Sequence, residues 1–218
     1  MFSYPYLLLA LAVGVLLGYR VARERTLALG YQYQNRGESR VSKTIQATFS
    51  SPDFNLLSHI TLKLKDGTTQ IDHILVSRFG VFVVETKDFN GWIFANAKHA
   101  NWTQVVFGRK YQFQNPLFQN MRHMQAVSDL LDFLPAEAIK PVVVFVGQAE
   151  FKTDRPSGVF TLDELVDHLL DQRDEVMSLN RMQFCVGRLE TARLAVTGQT
   201  DLEHVQSLQT RHGGKLSN

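Results

Sequence analysis

The residues best placed to do chemistry lie in two short strings, Gln70-Ile71-Asp72-His73-Ile74 and Val84-Glu85-Thr86-Lys87. They set one acid, then an acid-x-lysine triplet, among residues that are otherwise mostly Val and Ile. Two carboxylates can share a divalent cation, because hard cations favour oxygen ligands. A lysine beside them can steady an attacking water or a phosphate oxygen as charge develops. The set fits metal-assisted hydrolysis of a phosphodiester. The competing reading is a plain ion pair with Lys87, but one lysine does not cheaply neutralise two carboxylates on a half-buried sheet.

Two strands and a turn must bring these groups together. Side chains alternate faces along a strand, so Asp72, Ile74 and Val76 share one face, as do Val81, Val83, Glu85 and Lys87 on the next. A two-residue loop at Arg78-Phe79 places Asp72 opposite Glu85, with Cβ atoms roughly 5 Å apart. Two-residue hairpins favour Asn-Gly or a leading Gly, so Gly80 could instead close a three-residue loop. That loop would slip the register by one and separate the acids onto opposite faces. The expectation is the first register, or a bulge that restores it.

Around this hairpin the pattern reads helix, strands, helix, strand, helices. Val41, Ile45 and Phe49 form an apolar stripe on a helix from about Gly37, with Glu38 in its first turn. Ile60, Leu62 and Leu64 alternate as a strand, and Trp92-Ile93-Phe94 and Trp102 to Phe107 read as short ones. Asn115-Pro116 is a helix start, with Leu117, Met121, Met124, Ser128 and Leu131 along one face. Val142 to Gly147 is an apolar run typical of a strand buried on both faces. Thr161-x-x-Glu164 is a capping box opening a helix to about Val176, with further helices over Asn180 to Leu194 and Asp201 to Thr210. Hairpins with helices packed on them make an α+β core.

The amino terminus has a different character. Met1 to Tyr19 carries no charged side chain and is just long enough as a helix for a ~30 Å hydrocarbon core, and Leu7 to Leu17 within it is continuously apolar. Arg20, Arg23 and Arg25 follow at once, which places the carboxyl side in the cytoplasm. A cleaved signal peptide would need a basic leader, which is missing. The expected organisation is a transmembrane anchor over 1–22 in the inner or plasma membrane, a connector over 23–36, a catalytic-type domain over 37–150 and a helical extension over 151–218.

Composition narrows the function classes. The hydrophobic fraction of 44% and aromatic fraction of 11% describe a folded protein. A single cysteine, Cys185, excludes an internal disulfide framework and a Cys-rich zinc site. The net charge of +2 equals that of residues 1–25, so the remaining body is formally neutral. A neutral body does not favour broad, nonspecific DNA binding, and any footprint must come from a local patch such as Arg109-Lys110.

Taken together, Gly37-Glu38-x-x-Val41, the Asp72 and Glu85 strings, Gly91-x-Ile93, Trp102-x-Gln104 and Asn115-Pro116-x-x-Gln119-x-x-x-His123 resemble the nuclease-related domain, NERD. That domain lies within the PD-(D/E)xK restriction-endonuclease-like superfamily. The resemblance covers residues 37 to about 147. It implies a restriction-endonuclease-like core, a mixed β-sheet flanked by helices, and a nuclease acting on nucleic acid, with DNA expected. It also implies roles. Asp72 and Glu85, with the Thr86 carbonyl, would hold Mg²⁺ or Mn²⁺, and Lys87 would orient water or stabilise the phosphate. Glu38 would stand behind the site, while Gln104, Gln119 and His123 would contact substrate or brace the ligands. Glu38 alternatively only complements the helix dipole. His73 is expected to be structural, His123 fits the site or the core equally, and Trp92 and Trp102 are expected to pack in the core or at its rim rather than to stack bases. The rival to a nuclease is a non-catalytic nucleic-acid-binding or scaffold module at the membrane.

Overall fold

The computed structural model describes residues 35–49 and 52–194, with helical positions at 13–14 and 17–18. Most of the expected anchor and of the connector, and the helix over Asp201 to Thr210, lie outside the described residues. Among the described residues no helix is long and apolar enough to cross a membrane.

The expected α+β class holds: two mixed sheets are flanked by helices. The main sheet runs β1 (Phe54–Leu64), β2 (Gly67–Ser77), β3 (Gly80–Lys87), β7 (Ile139–Phe145), β9 (Val159–Thr161) in spatial order. The second runs β6 (Arg109–Gln114), β5 (Asn101–Val106), β4 (Gly91–Phe94), β8 (Ala149–Phe151). β3 and β7 are parallel, and past a shared bend they continue as β4 and β8, again parallel. At that bend the backbones nearly touch: a Cβ on Gly147 would lie 2.1 Å from the Phe89 carbonyl oxygen. Glycine is the residue that allows it.

Helices cover both faces of the main sheet. Helix α1 (Arg36–Thr48) and α3 (Leu162–Leu170) bury Val41, Ile45, Leu165 and Leu169 against Leu75, Phe82, Val84 and Val144. Helix α2 (Pro116–Leu130) and α4 (Leu179–Ala192) bury Val127, Met182, Cys185 and Leu189 against Ile71, Ile74, Val81 and Val83. The described part of 151–218 is therefore not an all-helical extension. It adds β9 to the main sheet and α4 to the core. Helix α3 stops at Leu170, short of the expected Val176, because the Val176 and Met177 amides bind the Arg78 carbonyl instead.

Helix α2 also differs from expectation. Its buried face is Pro116, Asn120, His123, Ala126 and Val127, while Met121 is exposed. The Asn120 amide donates to the carbonyls of Val83 and Val142 at 2.9 and 2.8 Å, spanning β3 and β7. Pro141 lies opposite Val83 in that ladder and has no N–H to give. A polar stripe thus faces the sheet, and hydrophobic periodicity alone points to the wrong side.

The hairpin register is the expected one. Ser77 pairs with Gly80 and His73 with Val84, so the loop is Arg78-Phe79. Among the described residues the only non-glycine positive φ values are at His59 and Phe107, so this turn is not of the primed type. The Ser77 hydroxyl holds it, accepting from the Phe79 amide and donating to the Gly80 carbonyl.

Candidate active site

Asp72 sits where the pleat of two strands breaks. The β1–β2 ladder pairs Ser58 with His73 and Ile60 with Ile71, but skips His59 and Asp72. His59 has φ of 53°, a conformation costly for a side-chain-bearing residue. On either side the inward residues are three apart, Leu57 and Ile60, Ile71 and Ile74, so strict alternation fails here. The simple picture of Asp72 sharing one face with Ile74 and Val76 is corrected accordingly. Displaced from the pleat, the Asp72 carboxylate accepts from the Thr86 amide at 2.7 Å, beyond the last β2–β3 ladder pair. Its Oδ1 has no hydrogen-bond partner among the described residues. Successive residues of a strand turn their amide pairs to opposite sides. Lys87 gives its carbonyl to Val146, just past β7, so the Thr86 carbonyl faces the Asp72 side.

Glu85 is almost fully buried and its two oxygens have different partners. Lys87 Nζ donates to Oε1 at 2.5 Å, and His123 Nε2 contacts Oε2 at 2.9 Å. Lys87 Nζ also donates to the Gln119 side-chain oxygen at 3.0 Å, and His123 Nδ1 meets the Thr69 hydroxyl at 2.7 Å. An ionised carboxylate only accepts, so Nε2 of His123 is the protonated nitrogen. The structure thus joins Glu85, Lys87, Gln119 and His123 in one network. Gln104 lies outside it: on β5, its amide donates to the Asn90 carbonyl.

Glu38 reaches the cluster because α1 begins directly against the end of the sheet. A Cβ on Gly37 would lie 2.6 Å from the Asp88 Cβ and 2.9 Å from a Val146 methyl, so glycine permits the approach. Asn35 caps the helix, accepting from the Glu38 amide at 3.0 Å and donating to the Glu38 carboxylate. Arg40 ties the same turn to the Val146 carbonyl. On the sheet side, His73 Nε2 meets Ser42 Oγ at 2.8 Å. His73 is the structural histidine expected of it, pinning α1 to β2.

Neighbouring acids perturb Asp72 and Glu38. Burial, then the charges of Glu85 and Glu38, push Asp72 well above the usual carboxylate range. Burial and, more weakly, Glu85 raise Glu38 to about 6. Burial alone would raise Glu85 too, but the His123 hydrogen bond and the Lys87 charge outweigh it and hold Glu85 low. One lysine therefore serves three carboxylates.

His73 carries a stability consequence. Burial lowers it to about 4 from 6.5, so the folded state binds fewer protons than the unfolded one between those values. Stability is retained above pH 6.5 and lost as pH falls towards 4, by up to about 3 kcal/mol. Glu38 acts in the opposite sense between 4.5 and about 6, where a raised acid makes stability fall as pH rises, but over a smaller span. Thermal melts from pH 8 to 4 should show a shallower acid limb for His73→Gln than for wild type. Identical limbs would contradict this assignment.

Sequence reasoning missed Asn120 and the His59 kink. A Gln119-Asn120-His123 polar stripe at helical spacing, in an otherwise core-facing helix, was the available signal for the first. Nothing in the sequence marks the second. Trp102 is buried as expected, whereas Trp92 is 49% exposed.

The nuclease-related domain family model matches residues 33–146. An uncharacterized protein of Bacillus anthracis is 37% identical over 102 residues, covering 46% of this chain and 48% of that protein. The chain therefore spans about half the length of that curated relative. Among solved structures, the 5-hydroxymethylcytosine-specific restriction enzyme AbaSI is similar at 9% identity, over 82% of this chain and 52% of that one, with a TM-score of 0.35.

Proposed function

The chain belongs to the nuclease-related domain family, and from that premise we propose a membrane-anchored, divalent-cation-dependent nuclease with a restriction-endonuclease-like core, cutting phosphodiester bonds in DNA. One observation carries the reading: burial and the neighbouring charges of Glu85 and Glu38 raise the proton affinity of Asp72 beside a single lysine, Glu85 likewise raises Glu38, and Asp72 keeps an open oxygen. Such crowding is costly without a cation.

The donor set fits Mg²⁺ or Mn²⁺. Among the described residues no three His, Cys, Asp or Glu side chains form a ready-made ion-binding group. Mg²⁺ does not require one, since it keeps several waters and takes one or two carboxylates. Asp72 and Glu85 would hold the ion with the Thr86 carbonyl. A bound cation would supply Lewis-acid polarisation of the phosphate and acidify nearby water.

The chain's own groups do the rest. Lys87 has three N–H donors, of which Glu85 and Gln119 take two, leaving one for a phosphate oxygen. His123, held by Thr69, keeps Glu85 ionised and oriented. Glu38, raised to about 6, can hold or release a proton near neutral pH beside the attacking water. Gln119 positions Lys87.

The second reading, a non-catalytic binding or scaffold module, draws support from Glu85 already having partners on both oxygens. Full-length protein incubated with plasmid, single-stranded DNA and RNA separates the two. The nuclease reading expects DNA cleavage in Mg²⁺ and none in EDTA, and an inert protein on all substrates would favour the scaffold. For the anchor, deletion of residues 1–19 is expected to move the protein from the membrane to the soluble fraction. Finding the intact chain already soluble would remove that part of the proposal.

A further inference from the structure

The β5–β6 hairpin ends in a residue that contributes nothing to the fold. Phe107 is 99% exposed and has φ of 49°, a backbone conformation that favours glycine. A two-residue Phe107-Gly108 turn would lose no packing with a polar residue at its first position. Instead the chain holds a bare aromatic ring at the tip, followed by exposed Arg109 and Lys110. Among the described residues neither cation has an acidic partner.

Phe107 lines an open cavity of about 480 Å³ together with Trp92, Val105, Gly108, Asn90 and Gln148. That volume is in the range of small-ligand sites, about 300–1,000 Å³. Strand pairing places Trp92, Val105 and Lys110 side by side in one row across β4, β5 and β6. Lys152 lies 4.8 Å from the Trp92 ring and pairs with Glu150. Gly91 makes the tight β4–β5 approach possible, since a Cβ there would lie 2.4 Å from the Val105 carbonyl oxygen. Two exposed aromatic residues thus line a groove, with Lys110 in the same row as Trp92, Lys152 over the Trp92 ring and Arg109 next along the chain from the turn.

The groove adjoins the acidic cluster. Asn90, on its rim, is three residues from Lys87, at most roughly 11 Å along the chain. Gln148 is likewise three residues beyond Phe145, which pairs with Lys87. Exposed aromatic rings with cations nearby match the chemistry of unstacked nucleobases on a phosphate backbone.

We propose that the Trp92–Phe107 groove stacks the bases of a single-stranded nucleic acid and guides that strand towards Lys87. This deepens the nuclease reading and rests on it for the substrate class, yet its test needs no cleavage. Fluorescence anisotropy in EDTA would compare full-length protein with a labelled oligothymidylate, an abasic oligonucleotide of equal length and a duplex.

Oligothymidylate is expected to bind most tightly and to quench Trp92 emission. Trp92→Ala and Phe107→Ala should each weaken its binding about tenfold without changing the abasic affinity, and Trp92→Phe should retain it. Arg109→Ala and Lys110→Ala should weaken both oligonucleotides and make binding less salt-dependent. Equal affinity for the three ligands, no binding, or wild-type behaviour of the Trp92 and Phe107 alanine variants would overturn the proposal. So would Phe107-dependent binding to phosphatidylserine vesicles without a base preference. A protein that binds as described but never cleaves would uphold the groove and remove the nuclease reading. Cleavage with no base-dependent binding would do the reverse.

Discussion

Asp72→Asn is expected to raise the melting temperature of the cation-free protein and to abolish the further rise that Mg²⁺ gives the wild type. The asparagine oxygen can still accept from the Thr86 amide, so the contact at the strand kink survives. What disappears is one of three mutually repelling carboxylates. Relief of that repulsion should add about 1–2 kcal/mol, a few degrees in a chain of this size. The wild type, saturated with cation at a hundredfold excess over its dissociation constant, should gain about 2.7 kcal/mol, and the variant almost none. Cleavage should fall by at least ~10²-fold. A variant that melts lower in EDTA, or that Mg²⁺ stabilises as it does the wild type, would show that the acids are not crowded around an ion site.

Lys87→Met should act with the opposite sign on stability. It leaves Glu85, only 2% exposed, with His123 as its remaining partner and removes the donor to Gln119. Breaking a buried pair from one side costs about 3–5 kcal/mol. The methionine retains the bulk of the stem, so the loss reports charge rather than packing. Adding Glu85→Gln should recover most of that stability, because no buried charge is then left alone. Cleavage should be lost by about 10²–10³-fold in the single variant and stay lost in the double one. Denaturant unfolding and plasmid assays on the same preparations check both parts. A double variant that regains cleavage would mean Lys87 serves only to neutralise Glu85.

The elements that local chemistry specifies were legible in the sequence. The helix at Asn115-Pro116 and the capping box at Thr161 follow from short-range rules, and the structure has both. The register held without preferred turn residues because Ser77 supplies the hydrogen bonds locally. What depends on distant packing was not legible. β6 reads as polar because five of its six residues face solvent. β9 is three residues long and exists through its pairing with β7. The inner face of α2 is polar because it answers to sheet carbonyls and to Glu85 rather than to an apolar core.

At the site, residue types pointed to the right neighbourhood and not to its wiring. Asp72, Glu85 and Lys87 were readable as a set, and Gln119 and His123 were candidates that the geometry joins to it. The His59 kink, which turns Asp72 towards Thr86, leaves no mark in composition or periodicity. Gln104 carries the same residue type as Gln119 but bonds the Asn90 backbone on the second sheet. Trp92, expected in the core or at its rim, is 49% exposed, and it is the residue on which the strand-guiding groove depends.

The central claim is that the Asp72–Glu85 edge cuts a phosphodiester with a divalent cation. Full-length wild type and Asp72→Ala, incubated with supercoiled plasmid in Mg²⁺ and in EDTA, test it most directly. The expected result is nicked or linear product from wild type in Mg²⁺ alone. Product from Asp72→Ala, or from wild type in EDTA, would contradict it.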